Sequence, residues 1–134
     1  MVGPFAGRAR LVAVLQAVAN LDAVVREHKF KDVCLRAYGL PEDTPDDEAV
    51  EKIRTHNPLP RLRALRDTAL PRTAIYHGFK DANIPAETNA IPLANALRRA
   101  GGEVELNIFP DVEHNVYGMG KEMEDRLRTF FSAL

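Results

Sequence analysis

The sequence predicts an α/β fold in which about three parallel strands are flanked by helices. Three short apolar runs carry this prediction, at residues 11–15, 74–76 and 104–108. The first two are unbroken, as in buried strands, and the third alternates apolar with polar residues, which indicates a strand with one buried face. Segments with helical spacing separate the runs, and strands that alternate with helices usually form a parallel sheet.

Composition and charge describe one globular domain of an ordinary kind. The 134 residues are 46% hydrophobic and 28% charged, and the formal net charge is −1 at pH 7. This near-neutral balance gives no electrostatic reason to expect a nucleic-acid partner. No apolar run approaches the roughly 20 residues of a membrane span, so no membrane partner is expected. Cys34 is the single cysteine, which excludes an intrachain disulfide and fits the reducing cytoplasm.

The first apolar run allows two interpretations. Arg8 and Arg10 precede residues 11–15, and the Ala-Val-Ala of residues 17–19 imitates a cleavage site, so the segment resembles a signal peptide. Against this, Gln16 interrupts the apolar residues and the run is short. A buried strand at 11–15 is therefore the favoured interpretation, with the signal peptide as its alternative.

Helical patterns fill the stretch between the first two strands. Residues 21–40 have apolar spacing near that of a helix, with Gly39 as a stop signal. Short helices are expected at 48–56, where an Asn-Pro pair follows, and at 59–65. The acidic loop at 41–47 lacks the glycine and the closing glutamate of a calcium-binding EF-hand loop. It therefore predicts a solvated helix start rather than a set of calcium ligands.

The pattern between the second and third strands predicts a helix within residues 86–100. Pro92 lies inside this segment, and a proline in a helix interior costs about 3 kcal/mol. Either the helix is kinked there or, as favoured, it begins near Pro92, because proline is accepted at the first helical position. Gly101 and Gly102 suit a left-handed cap at its end. The residues expected to face the sheet are Leu93, Ala94, Leu97 and Ala100.

A closing helix completes the predicted fold. Its apolar residues recur at helical spacing, which predicts one buried face. That face comprises Met119, Met123, Leu127, Phe130, Phe131 and Leu134.

Two residues that can carry chemistry follow neighbouring predicted strands. Asp81 lies in the loop after the second strand, and His114 lies in the loop after the third. Because the carboxyl ends of parallel strands gather at one edge of a sheet, the two side chains are expected to meet. A carboxylate can then orient the imidazole and stabilise its charged form while the histidine transfers protons. Without further context, the same residues also fit a turn aspartate and a surface-loop histidine.

The remaining histidines and the glycines predict neither a metal site nor a cofactor. His77 ends the second strand and is expected to make a structural hydrogen bond. His28 and His56 lie in helical segments and have no partner at metal-binding spacing. The glycines form no phosphate-binding pattern.

The segment from residue 77 to residue 115 resembles a known family. It reads HGFKDANIP, then a helix, Gly-Gly, a strand and DVEHN. This is similar to the C-terminal part of the α/β-hydrolases, in the group of prolyl-oligopeptidase-like peptidases and esterases. The resemblance covers the chain from about Phe5 onward and implies that residues 1–134 are a single partial α/β-hydrolase domain. In the chain order of that family, Asp81 matches the triad acid and His114 the triad base.

The resemblance also implies a nucleophile that this sequence does not contain. No GxSxG motif occurs, and Ser132, the only serine, falls in the closing helix. Cys34 is a poor substitute, because the family places its nucleophile before the strand at 11–15. The oxyanion hole would also lie on the missing half. The expected function is therefore a serine-hydrolase segment, peptidase or esterase, that supplies Asp81 and His114 and is inactive alone. The alternative is a non-catalytic interaction module.

The family topology further predicts a partner at the first strand. There the strand at 11–15 pairs with another strand that this sequence lacks, and an exposed apolar edge promotes association. A homo-oligomer or a partner chain is expected at this edge. Once completed, the protein is expected to act on a small-molecule or peptide substrate.

Overall fold

The computed structural model describes residues 10–66 and 69–133, and within them it shows a three-stranded parallel sheet. The strands are β1 (Leu11–Leu15), β2 (Arg72–Gly78) and β3 (Val104–Phe109), in the order β1-β2-β3. The predicted α/β fold class is confirmed, and so is the strand interpretation of residues 11–15. Of the residues used above, Phe5, Arg8 and Leu134 lie outside the described part of the chain.

Six helices accompany the sheet in the described residues. They are α1 (Leu21–Arg26), α2 (Lys31–Ala37), α3 (Asp46–Ile53), α4 (Pro58–Ala64), α5 (Ala90–Arg99) and α6 (Gly120–Phe131). Short 3₁₀ turns follow α3 and precede α6, at Arg54–His56 and Val116–Met119.

The central strand β2 is covered on both faces, because alternate side chains of a strand point to opposite sides. Ile75 packs on one face against α5, where the buried residues include Leu93, Ala94 and Leu97, as predicted. On the other face Ala74 and Tyr76 pack against α6, through Met123 and Phe130. The prediction for Phe131 was wrong: its side chain is 41% exposed, because it lies beyond the stripe of α6 that meets the sheet.

The helical pattern at 21–40 forms two helices, which corrects the prediction of one helical segment. His28 and Phe30 adopt left-handed backbone angles, with φ of 56° and 58°, and end the helical path between α1 and α2. The break lets Val25 of α1 and Leu35 of α2 pack together in one cluster with residues of α3. Tertiary packing therefore overrides the local helical spacing.

The helix α5 begins at Ala90, so the restart predicted near Pro92 is confirmed. Pro92 is the third residue of the helix, where backbone N–H groups have no partner inside the helix. The first regular bond runs from Leu93 N to the Asn89 carbonyl, at 3.0 Å. At the other end Gly101 has a φ of 92° and supplies the predicted left-handed cap.

Two buried asparagines fix the segment that leaves β1. Asn89 Oδ1 accepts hydrogen bonds from the backbone N–H groups of Ala19 and Asn20, each at 3.0 Å. Asn57 Oδ1 accepts from Leu21 N at 3.1 Å. Because these amides satisfy backbone donors at the start of α1, they place that helix beside the carboxyl ends of the strands.

Candidate active site

Asp81 and His114 are in contact at the carboxyl edge of the sheet. His114 Nδ1 lies 2.7 Å from Asp81 Oδ2, although the residues are 33 positions apart in the chain. The Asp81 side chain is fully buried, whereas the His114 side chain is 40% exposed. His114 Nε2 makes no hydrogen bond to any residue that the structure describes, so the imidazole is held at one nitrogen and open at the other.

The loop after β2 orients the Asp81 carboxylate. Asp81 Oδ1 accepts hydrogen bonds from Ile84 N at 2.8 Å and Asn83 N at 3.0 Å. These two donors occupy one carboxylate oxygen and leave Oδ2 for His114. Backbone donors of this kind stabilise the ionised form of a carboxylate.

His77 supports the same loop from the end of β2, which confirms the structural role predicted for it. Its ring is fully buried, and Nε2 lies 2.7 Å from the Ile84 carbonyl and 3.4 Å from Asp81 Oδ2. Both of these oxygens accept hydrogen bonds, so Nε2 carries the proton. The other nitrogen, Nδ1, is buried and has no hydrogen-bond partner among the described residues.

Gly78 lets the histidine-bearing loop cross the end of β2. A Cβ atom at this position would lie 2.2 Å from the Val112 carbonyl oxygen and 2.7 Å from that of Glu113. The Lys80 N–H also donates to the Val112 carbonyl, at 3.0 Å. The close approach brings the loop that carries His114 down onto the loop that carries Asp81.

Gln16 holds the same loop from the end of β1. Its Nε2 donates to the Glu113 carbonyl at 2.6 Å. Neither role was predicted from the sequence, in which Gln16 was noted only because it interrupts an apolar run and Gly78 had no predicted role. The available signals were a polar residue directly after a buried strand and a glycine directly before the acid-bearing loop.

An apolar cavity of about 340 Å³ opens beside His114. Gln16, Cys34 and His114 contribute to its wall, which is otherwise aliphatic and aromatic. The apolar lining residues are Val18, Leu21, Val24, Phe30, Val33 and Ile84. Most of them belong to α1, α2 and the turn between them, so the break in the helical path shapes the cavity.

Neither candidate nucleophile of the sequence is arranged for attack. Cys34 lines the cavity, but within the described residues it makes no hydrogen bond to His114. Burial, and then the nearby Asp32 carboxylate, raise the pKa of the Cys34 thiol, which reduces its thiolate fraction at neutral pH. Ser132 Oγ donates to the Thr129 carbonyl at 2.8 Å, at the end of α6.

Two acidic residues at the start of α3, Asp46 and Asp47, form ion pairs. Lys31 Nζ lies 2.6 Å from Asp46 Oδ1, and Arg26 pairs with Asp47 at 2.8 Å. The hydrogen bond from Lys31 is the main cause that lowers the pKa of Asp46. Across the described ranges, no three His, Cys, Asp or Glu side chains gather in a way that could hold a metal ion. None of the helices in those ranges is both long and apolar enough to cross a membrane.

Comparison with known proteins relates the chain to hydrolases. An acetylxylan esterase of Xylanibacter ruminicola is 28% identical over 119 residues, which cover 89% of this chain and 22% of that protein. Acetyl xylan esterase 1 from Thermoanaerobacterium superposes with a TM-score of 0.62 at 14% identity, over 92% of this chain and 37% of its own. Pyrococcus horikoshii acylaminoacyl peptidase superposes with a TM-score of 0.60 at 16% identity, over 90% of this chain and 18% of its own.

The solved structures show the fold, and a match to a family model shows the family. The structural neighbours share the α/β-hydrolase fold, and the present chain corresponds to a fraction of each. The chain spans about a fifth of the length of the curated relative, 22%. The model of the prolyl oligopeptidase family matches residues 9–132. This chain therefore belongs to the prolyl oligopeptidase family.

Proposed function

We propose that this chain is the C-terminal part of a serine hydrolase, with Asp81 as the triad acid and His114 as the general base. One observation carries the proposal. A fully buried carboxylate lies 2.7 Å from Nδ1 of a half-exposed imidazole, which borders an apolar cavity. This is the arrangement that an acid–base pair for acyl transfer requires.

The chemistry follows from the two nitrogens of His114. A serine hydroxyl, supplied by polypeptide outside this sequence, attacks the carbonyl carbon of the substrate while His114 Nε2 accepts its proton. Asp81 holds the proton on Nδ1 and stabilises the imidazolium. His114 then donates the proton from Nε2 to the leaving alcohol or amine. Water then attacks the carbonyl carbon of the acyl-enzyme while His114 Nε2 accepts its proton. As the bond between the acyl group and the serine oxygen breaks, His114 returns that proton to the serine oxygen, and the acid product leaves.

The substrate class is an ester or a peptide with an apolar group near the reacting carbonyl. Six apolar side chains line the cavity of about 340 Å³ beside His114, which favours an apolar group there. Esterases and an acylaminoacyl peptidase are both among the related proteins.

We further propose that the chain is inactive alone and binds its nucleophile-bearing half along β1. In the described residues β1 pairs only with β2, and Leu15 at its end is 40% exposed. A free parallel edge of this kind is completed by another strand, from the same polypeptide, a partner chain or a second copy. A cytoplasmic location stays a prediction that rests on the lone Cys34.

The proposal is tested by reading the DNA upstream of the Met1 codon in frame and expressing the chain with whatever precedes it. The longer product is expected to contain a GxSxG motif and to hydrolyse p-nitrophenyl acetate, whereas residues 1–134 alone do not. His114→Ala should abolish turnover. His56→Ala is the matched control, because His56 is an exposed histidine away from the cavity. A stop codon close upstream, together with no partner chain bound in cells, would reject the proposal.

The non-catalytic interaction module remains the second candidate function. The observation that favours it is the exposure of four apolar residues, of which Val18, Phe30 and Val33 line the cavity and Leu15 ends β1. The same upstream reading separates the two candidates. A module would bind its partner equally well after His114→Ala and would show no hydrolysis in the complex.

A further inference from the structure

We propose that Gln16 is a positioning residue that holds the loop carrying His114 at the cavity. The inference rests on the proposed function, because it concerns the orientation of the proposed general base. Gln16 acts on the main chain of the loop, not on the substrate.

The backbone at Gln16 is the first observation. Its φ is 42°, in the left-handed region that residues with a side chain seldom adopt. Two other described non-glycine residues share this conformation, His28 and Phe30, and Phe30 also lines the cavity. Gln16 N still donates to the Tyr76 carbonyl at 2.9 Å, so the chain turns sharply directly after the last sheet bond of β1. Unusual backbone angles persist where the surrounding structure holds them, and they concentrate at functional sites.

The side chain of Gln16 is the second observation. The residue is 7% exposed, and its Nε2 donates to the Glu113 carbonyl at 2.6 Å, across 97 positions of sequence. The same carbonyl accepts a hydrogen bond from Asn115 N at 2.7 Å. Glu113 and Asn115 flank His114, so this carbonyl anchors the short segment that presents the imidazole. Replacing the amide of Gln16 would leave the carbonyl with only the local bond.

Gln16 and Asp81 hold different parts of the segment that carries His114. Asp81, at the end of β2, holds the His114 ring through Nδ1. Gln16, at the end of β1, holds the peptide that precedes the ring. Together, the two contacts hold both the ring and the main chain that carries it. Catalytic groups need this kind of support, because small displacements of a general base are costly to the rate.

The test measures the His114 ring proton in the chain itself and needs no activity. In isotopically labelled protein, the proton on His114 Nδ1 is observed by NMR and assigned with His114→Ala. The proton on His77 Nε2, which faces the Ile84 carbonyl, serves as an internal reference. Gln16→Met removes the donor at nearly constant volume. Solvent exchange of the His114 proton is expected to accelerate about tenfold, the size of one lost hydrogen bond, while exchange of the His77 proton is unchanged.

A second variant and a control keep the test decisive. Gln16→Glu places a carboxylate against the Glu113 carbonyl, so it should accelerate solvent exchange of the His114 Nδ1 proton more than Gln16→Met does. If the methionine variant does not fold, the glutamate variant alone decides the test. The control is Asn107→Leu, which removes an amide on β3 that contacts Ile75 and Arg126. It should leave the exchange rate of the His114 Nδ1 proton at the wild-type value.

The outcomes separate this inference from the proposed function. Wild-type exchange at His114 in both Gln16 variants, or equal acceleration at His114 and His77, would overturn the positioning role while the acid–base pair stands. If the single substitution Asp81→Asn leaves the exchange rate of the His114 Nδ1 proton unchanged, both proposals are overturned.

Discussion

At the scale of single residues, the two carboxylate oxygens of Asp81 have different hydrogen-bond partners. Oδ1 accepts the backbone donors of Asn83 and Ile84, and Oδ2 meets His114. A buried carboxylate is stable only when such partners satisfy it. This division explains why the side chain remains buried and yet aims one oxygen at the imidazole.

Asp81→Asn is expected to disable the completed enzyme while the fold is kept. The amide oxygen can replace Oδ1 on the two backbone donors, which turns the NH₂ group toward His114 Nδ1. The imidazole must then carry its proton on Nε2 and cannot accept one from serine. The turnover number for p-nitrophenyl acetate should fall on the order of 10⁴-fold, as for the corresponding exchange in a Ser-His-Asp triad. An activity within threefold of wild type, with an unchanged melting temperature, would contradict this assignment.

Gly78→Ala is expected to displace the histidine-bearing loop. The added methyl group would lie 2.2 Å from the Val112 carbonyl, which is main chain and cannot move aside cheaply. The free energy of unfolding, measured with urea, should fall by about 2–3 kcal/mol or more. Gly118→Ala is the matched control, because its Cβ would meet only a Val112 methyl at 3.4 Å, and a change within about 0.5 kcal/mol is expected. Equal effects of the two substitutions would show that the loop tolerates the crowding.

The reactivity of Cys34 should depend on pH in the sense set by its environment. Burial, then Asp32, raise the pKa of the thiol, so the neutral form persists to higher pH than in an ordinary cysteine. The rate of alkylation by iodoacetamide should therefore rise with a midpoint above the ordinary range for a thiol. Asp32→Asn should lower this midpoint without removing the elevation, because burial is the larger cause. A midpoint at or below neutral pH would restore Cys34 as a candidate nucleophile.

At this scale the sequence predicted the two residues that can carry acid–base chemistry, but not the residues that hold their loops in place. Asp81 and His114 were predicted to meet because parallel strands deliver their loops to one edge. Gln16 and Gly78 carry no comparable signal. Their roles depend on a hydrogen bond and a close approach between segments far apart in the chain, which no local pattern encodes.

At the scale of elements, the position of Pro92 decides whether α5 tolerates it. The residue is third in the helix, before the first regular hydrogen bond from Leu93 to Asn89. Pro92→Ala is therefore expected to change the free energy of unfolding by less than about 1 kcal/mol. Asn95→Pro, at an exposed interior position of the same helix, should cost about 3 kcal/mol. Similar costs in thermal or urea unfolding for both substitutions would mean that the helix begins elsewhere.

Whether a segment forms a helix or a strand was easier to predict from the sequence than where a helical segment is broken. The strands and α5 have strong periodicity and clear end signals such as Gly101. The break between α1 and α2 was missed, because neither His28 nor Phe30 is a glycine or an asparagine, the residues that usually mark a left-handed turn in a sequence. Their conformation is set by the packing of both helices against α3, which becomes visible only in the folded chain.

At the scale of the whole molecule, the described sheet has one strand buried on both faces, β2, and within the described residues β1 pairs only with β2. Three parallel strands were predicted, since short apolar runs alternate with helical patterns. The cavity was not predicted, because it arises from the way α1, α2 and the two active-site loops meet. Three exposed apolar residues, Val18, Phe30 and Val33, line this cavity, and a fourth, Leu15, ends β1.

A role for His114 in activating a serine outside these residues can be tested on the protein purified from its native cells through a C-terminal tag. The purified protein is treated with a fluorophosphonate, which labels activated serines. We expect one labelled serine, mapped by mass spectrometry to a GxSxG sequence outside residues 1–134. We also expect loss of labelling in His114→Ala and retention in His56→Ala. Labelling that persists in His114→Ala, or no labelling of the native protein, would contradict the role of His114 as the general base.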